Sequence, residues 1–148
     1  MHKSVRYPTK QEVIDRMSTL NIDTYVAPLQ NWKEKRYTKK WRDSSLQEKM
    51  TYLEEISYIL YYQQANANKL PALYIRPSNR YGLHVKSNTI LLDEDRASIL
   101  STLHEIGHAI HGEAEVDACA FSVKLFARVF PTEYSKLQWH GHMLKLPA

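Results

Sequence analysis

The sequence predicts a small α+β domain that is mostly helical and carries a short antiparallel sheet. The chain has 148 residues, the usual size of one domain. Apolar residues recur at helical spacing in the first and last thirds, whereas residues 72–92 change to a strand pattern. We therefore expect residues 1–148 to form one domain. It would comprise a helical portion over 1–70, a core over 71–130 and a C-terminal tail over 131–148.

Two helices are predicted in the N-terminal portion. Residues 9–12, Thr-Lys-Gln-Glu, have the form of a capping box, and apolar residues follow at helical spacing. A second capping box over residues 45–48, Ser-Leu-Gln-Glu, begins the longest helix, which we expect to fade at residues 66–68. Residues 21–44 are less regular. Pro28 and the polar residues around it predict a loop with short elements there.

Three strands are predicted between residues 72 and 92. Residues 73–75 read as a strand that ends before Pro77, because proline removes a backbone donor. Residues 81–85 and 89–92 read as two further strands, and residues 86–88 suit a tight hairpin between them. The result is a small antiparallel sheet between the helical halves.

Two helices and a short third are predicted after the sheet. The acidic residues 93–95 suit the positive end of a helix that runs to about Gly112, a residue type that commonly ends helices. Another helix is predicted over roughly 114–130, where Pro131 ends it. A short helix then follows from Thr132, and we expect the remaining residues to form a surface tail.

Bulk properties narrow the class of protein. Apolar residues make up 43% of the chain and charged residues 24%, as in ordinary globular proteins. No apolar run reaches 18 residues, so no membrane span is expected. The basic N-terminus lacks the apolar stretch of a secretory signal, which favours a cytoplasmic protein. The single cysteine, Cys119, excludes an internal disulfide and is interpreted as a small core residue.

The net charge of +4 is concentrated in residues 33–42, KEKRYTKKWR. Basic residues interleaved with Tyr37 and Trp41 are compatible with binding to nucleic acid or to an acidic partner. The simpler interpretation is a solvated surface segment, and we favour it.

The strongest functional signal is the pentapeptide His104-Glu105-Ile106-Gly107-His108. Two histidines four residues apart project from one face of a helix, so both imidazoles can reach one zinc ion. Glu105 is rotated away from ligation but can take a proton from water at the metal. Gly107 costs a helix about 1 kcal/mol relative to alanine, which predicts close packing against a neighbouring element. The alternative is an amphipathic helix whose histidines lie at its polar edge.

The stretch HEIGHAIHGEAEVDACAFSVKLF, residues 104–126, resembles the metal-binding core of the ImmA/IrrE-type metallopeptidases. Their pattern is HExGH followed by a helix of form E-x-x-A-x-x-F-A, which Glu115, Ala118 and Phe121 match, with Ser122 replacing the last alanine. The resemblance covers residues 73–130. It implies a zincin-like fold, with the sheet beside the HExxH helix, and Glu115 as the third metal ligand. The connection from His108 to Glu115 is short for this family, but a turn at Gly112 can return the chain.

Other residues remain candidates for the third ligand or for accessory roles. Asp117 is the nearest rival of Glu115, and Glu113 is a weaker one. SprT-like zincins use a histidine as third ligand, which makes His140 and His142 alternatives. Either of these histidines, or Tyr134, is also a candidate for stabilising an oxyanion. His111 lies one turn beyond His108, and we leave it open between a substrate contact, a supporting partner of a ligand and an exposed side chain.

The motif and the bulk properties predict a cytoplasmic zinc protein with His104 and His108 as ligands and Glu105 as general base. The resemblance adds Glu115 as third ligand and implies a metallopeptidase whose protein or peptide substrate pairs with the edge strand at residues 81–85. The family resemblance suggests a regulatory protein as substrate and an origin on a phage or mobile element. The alternatives are a non-catalytic zinc domain that binds nucleic acid or a protein through residues 33–42, and hydrolysis of a non-peptide bond. The oligomeric state stays open.

Overall fold

The computed structural model describes residues 7–64, 74–78, 82–84, 89–93 and 97–147. Six α-helices lie in these ranges: α1 (Lys10–Thr19), α2 (Asp23–Lys35), α3 (Leu46–Ser57), α4 (Ile99–His111), α5 (Glu115–Val129) and α6 (Pro131–Ser135). The strands are β1 (Tyr74–Ser78), β2 (Gly82–His84), β3 (Thr89–Asp93), β4 (Gln138–His140) and β5 (Met143–Lys145). The described part of the chain is therefore mostly helical with small sheets, which agrees with the α+β class.

Both predicted capping boxes are formed. The hydroxyl of Thr9 accepts a hydrogen bond from the Glu12 amide at 3.1 Å, and Glu12 accepts one from the Thr9 amide at 3.3 Å. Ser45 and Glu48 make the same reciprocal pair at 3.2 and 2.9 Å. Helix α3 continues into a π-helical segment, Tyr58–Gln64. The predicted fade at residues 66–68 lies outside the described residues.

The prediction of a loop with short elements over residues 21–44 is wrong for most of this range. Helix α2 occupies 13 of these residues with Pro28 inside it, and a short 3-10 turn follows at Trp41–Asp43. Tyr25, Leu29 and Trp32 are all buried on one face of α2. Packing of this apolar face outweighs the backbone hydrogen bond that proline removes, because tertiary burial supplies most of the stability of a helix in a protein.

The sheet beside α4 is mixed, which corrects the antiparallel sheet that the sequence predicted. β2 pairs with β3 in antiparallel register, whereas β1 pairs with the other side of β3 in parallel register. The prediction that the first strand ends before Pro77 is also wrong, because β1 continues to Ser78. β1 is an edge strand, where proline is tolerated. The turn predicted at residues 86–88 lies outside the described residues.

Helix α4 begins at Ile99, which is later than the start that the acidic residues 93–95 predicted. Asp93 is the last residue of β3, and Glu94 and Asp95 lie outside the described residues. The N-cap is Ser98, whose hydroxyl accepts from the Ser101 amide at 3.0 Å, so a serine side chain rather than a carboxylate caps this helix.

The end of α4 and the helix that follows it agree with the sequence. Gly112 ends α4 with φ 100°, a conformation that side chains disfavour. Three residues later α5 starts at Glu115 and runs to Val129, and α6 starts at Pro131. The short connection folds α5 back against α4, and these two helices make extensive contact.

The C-terminal residues form a hairpin rather than the predicted surface tail. β4 and β5 pair in antiparallel register around Gly141, which has φ 66°. The ring of His142 stacks on Tyr7 at a centroid distance of 5.1 Å, and the Lys10 ammonium lies over the Trp139 ring at 5.9 Å. The hairpin therefore packs against the start of α1.

One hydrophobic cluster joins these elements. It contains buried side chains from α1 to α5, from the π-helical segment and from β3, among them Val13, Leu29, Leu53, Ile90 and Phe121. Among the described residues, no helix is both long and apolar enough to cross a membrane.

Candidate functional site

Helices α4 and α5 approach each other closely at Gly107. A Cβ atom at this position would lie 3.1 Å from the Cα atom of Ala118 and 3.1 Å from Cδ1 of Phe121. The close packing that the sequence predicted for Gly107 is thus present, and the neighbouring element is α5. The absence of a side chain lets the backbones meet, which places the start of α5 beside the histidines of α4.

His104, His108 and Glu115 meet at this contact between the two helices. Nε2 of His104 lies in direct contact with Oε1 of Glu115, and Nε2 of His108 lies 3.5 Å from the same oxygen. The two imidazole rings are 4.8 Å apart and nearly perpendicular. Two predicted ligands on one helix and the predicted third ligand on the next thus face a common point.

The backbone of Gly112 fixes the orientation of His108. Nδ1 of His108 lies 3.0 Å from the Gly112 carbonyl oxygen. A carbonyl can only accept, so Nδ1 carries the proton in this hydrogen bond. The neutral form of the ring then has its lone pair on Nε2, toward Glu115. This is the usual arrangement of a metal-binding histidine, whose second nitrogen donates to an outer partner.

The contacts among the three residues require a positive charge between them. A neutral His108 would present a lone pair to the lone pairs of a carboxylate, so a proton or a cation is needed to make the contact favourable. Without a metal, the histidines lower the pKa of Glu115 well below its usual range through hydrogen bonds. Burial lowers the pKa of His108, but the hydrogen bonds to Glu115 and Gly112 outweigh it and leave a raised pKa.

The donor set fits a metal ion of the zinc class. Two imidazole nitrogens and one carboxylate oxygen are common protein ligands of catalytic zinc. Two ligands about 2.0–2.1 Å from a tetrahedral ion lie roughly 3.3 Å apart, which is close to the 3.5 Å between Nε2 of His108 and Oε1 of Glu115. Nε2 of His104 is closer to this oxygen than two ligands of one ion would be, so a bound ion requires a small outward shift of His104. The atoms whose contacts require a positive charge between them are therefore suited to bind a divalent cation.

Glu105 lies beside this group and is only 8% exposed. Its Oε2 atom is buried and has no hydrogen-bond partner among the described residues. Burial raises the pKa of Glu105, and the charge of Glu115 adds to this rise, while His104 and His108 oppose it. A buried carboxylate oxygen without a partner is costly for stability, and functional sites are where such costs are found.

The rival ligands have other partners or lie elsewhere. Asp117 Oδ1 accepts a 2.6 Å hydrogen bond from Nε of Arg16, and Glu113 is exposed. His140 is exposed on β4, and His142 stacks on Tyr7. The geometry brings none of these four residues to His104 and His108, although the sequence left Asp117, Glu113, His140 and His142 open as alternatives.

The accessory residues also lie apart from the group. Tyr134 packs against the hydrophobic cluster. The ring of His111 packs against Phe121 with centroids 5.2 Å apart, and burial lowers its pKa. Its Nε2 atom is buried without a partner among the described residues.

Cys119 is close to the group, a position that its place in the sequence did not predict. It is buried, as predicted, but its Sγ atom lies 3.8 Å from Nδ1 of His104 and 3.9 Å from Oε1 of Glu115. Donor atoms of His104, Glu115 and Cys119 lie within 4.8 Å of one another. Burial, together with the Glu115 carboxylate, raises the pKa of the thiol to about 12. The four-residue spacing from Glu115 on one helix was the signal that pointed to it.

Half of the cations in the basic segment at residues 33–42 make polar contacts within the molecule. The ammonium of Lys33 donates to the Val129 carbonyl at 2.8 Å. Arg36 pairs with Glu55 at 2.7 Å, and Lys39 pairs with Glu48 at 3.1 Å. Among the described residues, Lys35, Lys40 and Arg42 are the cations of this segment with neither an ion pair nor a side-chain hydrogen bond.

Two cavities lie away from the histidines. One of about 650 Å³ lies between α2 and α3 and is lined by residues such as Trp32, Arg36, Glu55 and Tyr58. Another of about 360 Å³ is lined by Trp41, Leu100, Phe130 and Leu144 beside the C-terminal hairpin. Neither is lined by His104, Glu105, His108 or Glu115, so the chemistry of the His–Glu group rather than cavity size marks the candidate site.

Comparisons of the chain with protein-family models, with curated proteins and with solved structures find no match. The residues of the group formed by α4 and α5 therefore carry the functional argument.

Proposed function

We propose that the chain is a zinc-dependent metallopeptidase that binds the metal through His104, His108 and Glu115. One observation carries the proposal: Nε2 atoms of both histidines of an H-E-x-x-H motif converge on one oxygen of a glutamate from the next helix. When bound, zinc supplies a Lewis acid that acidifies water and polarises a substrate carbonyl.

Glu105 is the general base in this proposal. Its buried, unpartnered oxygen accepts the proton of the attacking water as the carbon–oxygen bond forms. It then donates that proton to the leaving amine as the carbon–nitrogen bond breaks. Burial raises the pKa of Glu105, which brings the carboxyl group closer to the neutral range in which proton transfer in both directions is efficient.

The substrate is an extended peptide segment in this proposal. β2 lies at an edge of the mixed sheet, and it contacts α4. An edge strand offers unpaired backbone groups that can add a further strand. Backbone pairing with β2 would lay a peptide beside the helix that carries Glu105, and flexible regions of a regulatory protein present such segments.

The basic segment 33–42 carries no second proposal. Three of its cations are committed to contacts within the molecule, and a non-catalytic zinc site has no use for a buried carboxylate such as Glu105. Binding of nucleic acid stays a prediction that a salt-dependent binding measurement with DNA and RNA addresses.

The proposal is tested by Glu105→Gln. We expect the variant to retain zinc, because Glu105 is not a ligand, and to lose about 10²–10⁴-fold in peptidase activity on an unfolded protein substrate. Zinc content by atomic absorption and cleavage by gel electrophoresis provide the two measurements.

Glu113→Gln is the matched control, because Glu113 is exposed and lies between the motif and Glu115. This control should leave zinc content and activity unchanged. Equal activity of wild type and Glu105→Gln with zinc bound in both would contradict the role of Glu105. A wild type that binds no zinc would contradict the metal site itself.

A further inference from the structure

We propose that the thiol of Cys119 orients His104 for metal binding, as the Gly112 carbonyl orients His108. The inference rests on the proposed function, because it concerns a residue behind one of the proposed ligands. Cys119 lies one helical turn after Glu115 and on the same face of α5. Cys119 is only 3% exposed, so the packed side chains around it fix the position of its sulfur.

The contacts of Cys119 favour a proton on Nδ1 of His104. Sγ lies 3.9 Å from Oε1 of Glu115, and a carboxylate can only accept, so the S–H group donates to Glu115. The thiol has one proton, so the sulfur is then an acceptor for Nδ1 of His104 at 3.8 Å. Without a metal, Nε2 of His104 also donates to Glu115, which requires a doubly protonated ring. A cation that replaces the Nε2 proton leaves the lone pair of Nε2 for the metal and the proton on Nδ1.

Both histidines of the motif thus have a partner for Nδ1 and present Nε2 to the same oxygen. For His108 the partner is the Gly112 carbonyl at 3.0 Å, where α4 ends. For His104 it is a side chain of α5, which also supplies Glu115. Outer partners of this kind fix the ring orientation and the tautomer of a ligand, and their removal typically lowers metal affinity by about 10–100-fold.

Direct ligation by Cys119 is the competing arrangement. The sulfur lies in a group of donors within 4.8 Å of one another together with His104 and Glu115. A ligating cysteine is a thiolate, and it would occupy the position that water needs at a catalytic metal. The two roles of Cys119, orienting His104 or binding the metal directly, therefore predict different absorption spectra for the cobalt-loaded protein.

The test compares metal affinity in the full chain for Cys119→Ala, Cys119→Ser and Val123→Ala. Val123 is a buried residue of α5, eight residues after Glu115, so its truncation serves as the control for packing loss. We expect Cys119→Ala to bind zinc about 10–100-fold more weakly than wild type in competition with a chromophoric chelator. Cys119→Ser should recover most of this loss, since a hydroxyl donates and accepts as a thiol does. Val123→Ala should bind zinc with wild-type affinity.

Cobalt substitution separates positioning from ligation. We expect the Co²⁺-loaded wild type to lack the near-ultraviolet charge-transfer band of a thiolate bound to cobalt. Appearance of that band, and its loss in Cys119→Ser, would overturn positioning in favour of ligation. Unchanged zinc affinity in Cys119→Ala would overturn the inference while leaving the proposed metal site intact. A wild-type chain that binds neither metal overturns the proposed function and this inference together.

Discussion

Glu115 and Asp117 lie in the same turn of α5 but have different partners. Glu115 faces the Nε2 atoms of His104 and His108, whereas Asp117 holds Arg16 of α1. Two carboxylates two residues apart on a helix point in directions that differ by about 200°. One of them can therefore serve the histidines while the other ties α5 to the N-terminal helix.

This difference predicts opposite outcomes for Glu115→Gln and Asp117→Asn. We expect Glu115→Gln to lose zinc affinity by more than about 100-fold, beyond the effect of removing an outer partner, because a charged ligand is removed. Asp117→Asn should retain zinc and should lose thermal stability only. Isothermal titration with zinc and thermal melts of the metal-free proteins measure both effects. If Asp117→Asn releases zinc and Glu115→Gln does not, Asp117 is the ligand.

The pKa shifts of Glu115 and His108 predict how the stability of the metal-free protein depends on pH. The folded pKa of Glu115 is lowered, so its contribution is present above its unfolded pKa of about 4.3 and is lost as pH falls through the folded pKa. The folded pKa of His108 is raised. Its contribution is complete below an unfolded pKa of about 6.5 and is lost as pH rises through the folded pKa.

We therefore expect the gap in melting temperature between wild type and Glu115→Gln to be largest from about pH 5 to 6.5 and to shrink above that range. Melts in the presence of a chelator provide the measurement. Glu113→Gln, which changes an exposed carboxylate, should show no such maximum. A gap that grows steadily toward pH 8 would indicate that the histidines and Glu115 do not share protons.

The sequence was sufficient to predict that His104, His108 and Glu115 come together, but not which partners the neighbouring residues have. The spacing of His104 and His108 placed both on one helical face, and Gly112 made a return of the chain to Glu115 feasible. The Arg16–Asp117 pair joins residues 101 positions apart, so no local pattern reveals that Asp117 is engaged. The sequence indicated only a core role for Cys119. The spacing of apolar residues on a helix shows that a side chain is buried, but it does not show whether that side chain lies next to a metal ligand.

Among the elements, the contact of α4 with α5 determines the geometry of the site. Gly107 meets the backbone of Ala118 and the buried ring of Phe121, and neither can move freely. We expect Gly107→Ala to destabilise the protein by about 1–3 kcal/mol through overpacking. The gain in helix propensity, about 1 kcal/mol, offsets only part of this cost.

The variant should also bind zinc more weakly, because separation of the helices moves Glu115 away from the histidines. Denaturant unfolding and zinc titration measure the two effects. Ala127→Gly, which removes a methyl group elsewhere on α5, serves as a control that loses stability without losing zinc affinity. A more stable Gly107→Ala with normal affinity would show that Ala118 and Phe121 yield to the new methyl group.

The elements that local signals specify were predicted, and those that depend on distant contacts were not. Capping boxes at Thr9 and Ser45 involve neighbours three residues apart, so they can be read from the sequence. Helix α2 forms despite Pro28 because its apolar face is buried by other elements. β1 pairs in parallel with β3, although β2 lies between them in the sequence. The hydrophobic pattern of a strand does not tell which other strand lies next to it in the sheet.

At the scale of the whole molecule, the N-terminal helices support the helix that carries Glu115. Arg16 of α1 pairs with Asp117, and the Lys124 ammonium of α5 donates to the Leu20 carbonyl at 2.6 Å. At the far end of α5, Lys33 of α2 donates to the Val129 carbonyl and lies over the Phe130 ring at 5.0 Å. Both ends of α5 are thus held by α1, by Leu20 that follows it, and by α2.

This arrangement predicts that zinc stabilises the chain as a unit. A ligand that binds the folded state alone adds about 2.7 kcal/mol at 100 times its dissociation constant. For a chain of this size that corresponds to roughly 5–10 °C in melting temperature. We expect far-ultraviolet circular dichroism and tryptophan fluorescence to show the same shift. With Trp41 and Trp139 replaced by phenylalanine, the fluorescence reports on Trp32 of α2, which is buried in the shared hydrophobic cluster and is not part of the site.

His108→Ala is the control for this measurement, because it removes one proposed ligand and should abolish the shift in both signals. The comparison separates local from global stabilisation. If zinc raised the transition seen by circular dichroism but left the fluorescence transition unchanged, α2 would unfold independently of α4 and α5. Coincident transitions would instead mean that the contacts of Arg16, Lys33 and Lys124 transmit the stability gained at the histidines to the N-terminal helices.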